Sequence, residues 1–195
     1  MGFPGDLLVP ASGANLPSLF KHPILRLKNV WRRIKVFSLN TMYLSVFWAK
    51  GGGRVNFVQM KQLALENFIA VNTAFAKGRE PQIADNCSIL TNHALKERLK
   101  HVDPNIKMSW ELLRYNRKPR IVLLQPLEIP NAPSALQAVY RIDSRQRLTV
   151  EKPGQEPQVT ETDLVQYPGF VFDTTISPPR PFLIGSLFET PLTVK

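Results

Sequence analysis

The chain has 195 residues, 44% of them hydrophobic, with 25 Lys and Arg against 15 Asp and Glu, for a formal net charge of +10. That length suits one domain with a real core plus extensions, and the single cysteine, Cys87, excludes an internal disulfide framework and any multi-cysteine zinc site. No run reaches the roughly 18 apolar residues that a membrane-spanning helix requires; the closest, Val36 to Ala49, also contains Ser38, Asn40, Thr41 and Ser45.

Residues 1–20, rich in Gly, Pro, Ala and Ser, read as an extended arm. They show neither a secretory signal nor a good myristoylation pattern, because Asp6 stands where Ser or Thr is wanted. Between Asp6 and Glu66 there is no acidic residue, while nine basic ones occur: Lys21, Arg26, Lys28, Arg32, Arg33, Lys35, Lys50, Arg54 and Lys61. Residues 1–65 therefore supply +8 of the net +10. A block of one sign beside a nearly neutral remainder is the pattern of a polyanion-binding arm, the polyanion being nucleic acid or an anionic membrane surface. Such acid-free basic segments also resemble mitochondrial targeting sequences, and the start at Lys21 leaves room for a presequence removed upstream.

From Pro23 a helix is predicted, with proline at an early position where its missing N–H costs nothing. Ile24, Leu27, Val30, Trp31, Ile34 and Phe37 fall within one arc of about 140°, and Arg26, Lys28, Arg32, Arg33 and Lys35 occupy the complementary side. The pattern blurs at Asn40 and Thr41 into an aromatic stretch with Tyr43, Phe47 and Trp48, which stops at Lys50 and three glycines. A second helix is predicted over Val55 to Lys77, with Phe57, Met60, Ala64, Phe68, Val71 and Phe75 on one face and Gly78 as its cap. Pro81 begins a short helical turn through Asn86, and a third helix runs from Asn92 to Val102.

After Pro104 the period changes from 3.6 to 2. Ile106, Met108, Trp110 and Leu112 form the inward side of a strand, Asn116 to Pro119 reads as a turn, and Arg120 to Ile129 as a strand interrupted at Pro126. Ala135 to Ile142 and Arg147 to Lys152 read as a hairpin around Asp143 to Gln146, with weaker strands at Phe170 to Thr174 and Phe182 to Phe188. The expected fold is α+β, with N-terminal helices packed on a curved antiparallel sheet. Three regions are expected: a basic amphipathic arm (1–54), an α+β domain (55–152) and a proline-rich extension with weak strands (153–195).

Catalytic motifs do not stand out. His22, His93 and His101 have no metal-ligand spacing, and there is no G-x-S-x-G elbow, Walker pattern or recognisable carboxylate pair. No cofactor is expected. Trp31, Phe37, Tyr43, Phe47 and Trp48 are candidates for a membrane or partner contact. Lys21, Arg26, Lys28, Arg32, Arg33, Lys35, Lys50 and Arg54 are candidates for phosphate contacts to RNA, favoured for Lys28, Arg32, Arg33 and Lys35 because they cluster on one helical side; the arm is expected to bind RNA, anionic lipid, or both on opposite faces of its helix.

The string Gln62 to Glu66 through Val71-Asn72-Thr73-Ala74-Phe75-Ala76-Lys77-Gly78, followed by a short helix and Leu95-Lys96-Glu97-Arg98-Leu99, resembles the opening of a Tim-forty-four-like domain. The resemblance covers roughly Val55 to Lys152. It implies a cone-shaped α+β domain, and, with the short basic arm, the branch of mitochondrial large-subunit ribosomal proteins and fungal mitoribosome receptors. The partners so implied are large-subunit ribosomal RNA and proteins, the anionic inner-membrane surface and the membrane insertase, met from the mitochondrial matrix without catalysis. Two alternatives stay open at this point: an import-motor tether binding anionic lipid and a chaperone, and an enzyme using the cavity of the cone.

Overall fold

The computed structural model describes residues 9–12, 16, 18, 20, 22–49, 55–127 and 135–190. Helices α1 (Pro23–Ala49), α2 (Phe57–Ala76), α3 (Glu80–Asn86) and α4 (Ile89–Lys100) precede strands β1 (Lys107–Leu127), β2 (Ala135–Glu151), β3 (Gln158–Asp173) and β4 (Arg180–Leu187). The strands form one open antiparallel sheet in chain order, β1-β2-β3-β4. The α+β class is therefore as expected.

Local chemistry sets the helix ends. Asn56 caps α2 by accepting the Gln59 N–H at 3.1 Å. At the other end Gly78, at φ 64°, donates to the Phe75 carbonyl and Arg79 donates to the Ala74 carbonyl, the paired bonds that close a helix through a left-handed residue. Ser88 caps α4 by accepting the Thr91 N–H, so that helix begins at Ile89, three residues before its expected start.

Helix α2 lies on one face of the sheet. Met60, Ala64, Phe68, Val71 and Ala74 are buried against Ala138, Tyr140, Ile142, Phe170 and Phe172. Phe68 meets Trp110 edge to face at 5.9 Å, and the Trp110 indole donates to Gln146 Oε1 at 3.0 Å. Because side chains alternate along a strand, Val139 and Arg141 lie on the opposite face of β2. There a smaller cluster of Val9, Leu123, Val139 and Tyr167 forms under the N-terminal segment.

A helical segment meets each edge of the sheet at one point. Ser88 donates to the Leu183 carbonyl at 2.9 Å, which places the α3–α4 junction beside β4. At β1, Asn40 of α1 accepts the Leu124 N–H at 2.9 Å and donates to the Val122 carbonyl at 3.3 Å. A single amide thus satisfies two backbone groups of an edge strand that would otherwise face solvent.

Three expected features are corrected. Asn116 to Pro119 is no turn: β1 runs unbroken from Lys107 to Leu127 and absorbs the awkward residues as register shifts between Leu112 and Leu123. Pro119 is tolerated there because β1 is an edge strand. Asp143 to Gln146 is no hairpin either, since β2 is continuous and pairs Asp143 with Val165 and Gln146 with Thr162. Its polar residues are held by partners: Asp143 pairs with Arg141 at 3.0 Å, and Gln146 bonds Ser144 and Gln166. Finally, the weak strand expected at Phe170 to Thr174 is the end of a strand that begins at Gln158, and it brings Phe170 and Phe172 into the main core.

Candidate functional site

Helix α1 is continuous across the Asn40-Thr41 blur, which marks its docking side instead of its end. Asn29, Val36 and Phe47 are its buried residues, and with Asn40 they line the side turned to the domain. Asn29 donates to the Ala11 carbonyl at 3.1 Å. The amides therefore fasten the helix to the N-terminal segment and to β1, where an apolar contact alone would leave backbone groups unpaired.

The apolar arc points the other way. Ile24 is 80% exposed, Leu27 70%, Trp31 67%, Ile34 52% and Phe37 73%. Val30, Met42 and Trp48 are also exposed and extend the stripe. At about 100° per residue, Lys28 and Lys35 flank the stripe on one side and Arg26 and Arg33 on the other. A long apolar stripe bordered by basic side chains is the pattern of a helix that lies in a membrane interface. Among the described residues no helix is long and apolar enough to cross a membrane.

The expected contact residues divide accordingly. Trp31, Phe37 and Trp48 are on the exposed side. Tyr43 is half-buried, and Phe47, 3% exposed, belongs to the core, which removes it from any lipid contact. Of the basic set, Lys28 and Lys35 are exposed and Arg26 is half-buried. Arg32 donates to the Thr190 carbonyl at 3.5 Å and Arg33 to the Ala11 carbonyl at 2.9 Å. Lys21, Lys50 and Arg54 lie outside the described residues. Lys28, Arg33 and Lys35 are exposed at the borders of the apolar stripe, and the side of α1 directly opposite the stripe is packed on the domain.

Sequence reading missed a second basic group. Arg114, Arg117, Lys118 and Arg120 are exposed on β1, in and on either side of the segment first read as a turn. Below them Arg141 is buried on β2, where Nη2 donates to Asp143 at 3.0 Å and Nε to Ser12 Oγ at 3.2 Å. Ser12 in turn contacts the Tyr167 hydroxyl at 2.9 Å and donates to Glu189 at 2.6 Å; Tyr167 donates to the same carboxylate. Burial, and then the bond to Glu189, push the Tyr167 hydroxyl above its ordinary pKa. Val9 and Thr190 complete the clasp: the Thr190 N–H donates to the Val9 carbonyl at 2.8 Å, and the Val9 N–H to Thr190 Oγ1 at 3.2 Å.

A larger cavity of about 640 Å³ lies between the ends of α2 and α4 and the start of β1. Phe75, Leu99, Val102, Ile106 and Met108 supply its apolar wall, and the Lys77, Arg79, Glu80 and Asp103 that also line it are exposed. Among the described residues no group of three or more His, Cys, Asp and Glu side chains is placed to hold a metal ion. Cys87 is buried beside β4, and desolvation raises its thiol pKa to about 12, which suits a packing role.

Compared with known proteins, residues 1–195 match a family described as MBA1-like protein. The chain is 34% identical over 194 residues to a Saccharomyces cerevisiae protein named inner membrane mitoribosome receptor MBA1, mitochondrial. That alignment takes in 97% of this chain and 68% of the yeast protein.

Proposed function

The chain belongs to the MBA1-like family, and from that premise we propose that it is a mitoribosome receptor, peripheral on the matrix side of the mitochondrial inner membrane. The likeness to the yeast receptor carries this reading, and the exposed apolar stripe of α1 supports a peripheral attachment. Its Tim-forty-four-like superfamily placement is part of the same proposal, supported by helices α2 to α4 preceding an antiparallel sheet. An import-motor tether and an enzyme of the cavity both fit the relative less well.

The two attachments are assigned to different surfaces. Ile24, Leu27, Trp31, Ile34 and Phe37 enter the interfacial layer of the membrane, and Lys28 and Lys35 meet anionic headgroups, each contributing about 1 kcal/mol near such a surface. Ribosomal RNA phosphates are met by Arg114, Arg117 and Lys118 of β1, and the same role is assigned to Lys21, Lys50 and Arg54, which flank α1 in sequence. A receptor divided this way binds ribosome and membrane at once without using one surface twice. The insertase and other ribosomal proteins are further proposed partners, and no catalytic step is assigned.

Two variants test the division. Arg114→Glu with Lys118→Glu is expected to leave the large ribosomal subunit in a sucrose gradient at moderate salt and still to float with membrane vesicles. Trp31→Ser with Ile34→Ser is expected to do the reverse. If each pair abolished both attachments, or the β1 pair changed neither, the division would be wrong. A wild-type chain that stays with the ribosome only at low salt behaves as a receptor; one that stays at high salt is an integral ribosomal component.

A further inference from the structure

Three arginines line one small cavity at the junction of α1, the sheet and the N-terminal segment. Arg33 reaches it from α1, Arg120 from β1 and Arg141 from β2, with Ser12, Phe37 and Tyr167 in the same wall around a volume of about 230 Å³. Of the three, only Arg141 has a carboxylate partner among the described residues. Asp143 is taken by Arg141 at 3.0 Å and by Arg117 at 3.7 Å, and Glu189 accepts from Ser12 and Tyr167. Arg33 uses Nη2 on the neutral Ala11 carbonyl, and Arg120 makes no ion pair or hydrogen bond among the described residues. The cavity is therefore cationic and has donors left over. Planar guanidinium groups of this kind match the paired oxygens of a phosphate better than a lysine ammonium does.

What lies beside the cavity narrows the ligand. Phe37 lines it and is also 73% exposed in the apolar stripe of α1. An anion seated against Arg33 and Arg120 thus has a long aliphatic and aromatic surface next to it. We infer that the cavity holds the phosphate diester of an anionic membrane lipid, whose acyl chain lies along Phe37 and the stripe. The inference rests on the membrane-facing reading of α1. An RNA phosphate has the same charge, but its flanking riboses would leave Ile24, Leu27 and Ile34 unmatched, so lipid is the ligand the surroundings favour.

The test is sedimentation of the full chain with vesicles of phosphatidylcholine, with and without phosphatidylglycerol. Arg33→Lys with Arg120→Lys conserves net charge, and the expected result is binding to the anionic vesicles about tenfold weaker than wild type. Lys107→Arg with Lys152→Arg, at exposed positions away from α1, should leave binding unchanged. Arg120→Lys alone guards against misfolding, since that side chain bonds to none of the described residues, and it should retain wild-type thermal unfolding while losing several-fold in binding.

Wild-type binding by the charge-conserving pair would overturn the inference and leave the membrane reading intact, the attraction then being diffuse. Failure of the wild type to bind anionic vesicles at all would remove the membrane reading and the inference with it. If inorganic phosphate perturbed the cavity and Phe37→Ser left vesicle binding unchanged, the site would be one for free phosphate and the lipid assignment would fall. It would fall equally if the arginine pair lost ribosome co-sedimentation and kept vesicle binding, which would make the cavity an RNA contact.

Discussion

Asn40 does with one side chain what another strand would do with its backbone: it gives Val122 a donor and Leu124 an acceptor at the edge of β1. Asn40→Leu keeps the size and removes both bonds, leaving two backbone groups unpaired against an apolar side chain. We expect a loss of about 1–3 kcal/mol in urea unfolding; a change inside experimental error would mean that water replaces the amide without cost. Arg141 is the other residue on which the outer face depends. Arg141→Met leaves the Asp143 carboxylate, 15% exposed, with only the longer contacts to Arg117 at 3.7 Å and Asn116 at 3.4 Å, and should cost about 3 kcal/mol, whereas Arg141→Met with Asp143→Leu should recover much of it. An equal loss in the single and double variants would show that the pair contributes packing and little charge complementarity.

At the scale of the element, α1 has two unlike sides, and each can be removed separately. Trp31→Ser with Ile34→Ser strips exposed side chains, so global stability should change by no more than about 0.5 kcal/mol, although the stripe loses its membrane affinity. A marked drop in the unfolding midpoint would place these residues in a packed interface instead. Helices were the legible part of this sequence. The face of α2 through Met60, Ala64, Phe68 and Val71 and the cap at Gly78 stand where periodicity placed them. The strands were less so, for a physical reason: Asn116 to Pro119 and Asp143 to Gln146 are turn residues by local preference, but here they sit in bulges or in satisfied polar networks that only tertiary partners provide. The docking side of α1 was also hidden. It is marked by Asn29, Asn40 and Phe47 at helical spacing, and two amides among apolar neighbours leave no hydrophobic period to read. Arg120 and Arg141, far apart in sequence from Arg33, could not be joined to it before the register of β1 and β2 was known.

For the molecule as a whole, the sheet cannot be cut where the composition shifts toward proline. β3 supplies Phe170 and Phe172, both fully buried among residues of α2 and β2, and each contributes roughly 1.5–3 kcal/mol by leaving water. A chain ending at Pro157 is therefore expected to lose cooperative unfolding, as followed by circular dichroism, because it would also expose the long edge of β2. A sigmoidal transition in that truncated chain would mean that α2 and the first two strands suffice as a folding unit.

The clasp between Val9 and Thr190 joins the two ends of the described chain beside α1. Asn29 and Arg33 hold α1 through the Ala11 carbonyl, and Arg32 reaches the Thr190 carbonyl directly. Helix α1 is thus fastened by one of the last described residues, with α2 and all four strands lying between the two in sequence. Release of Thr190 would leave α1 its bonds to Ala11 and to β1 while undoing the clasp on the N-terminal segment, so the footing of the helix is set by a residue far from it in the chain.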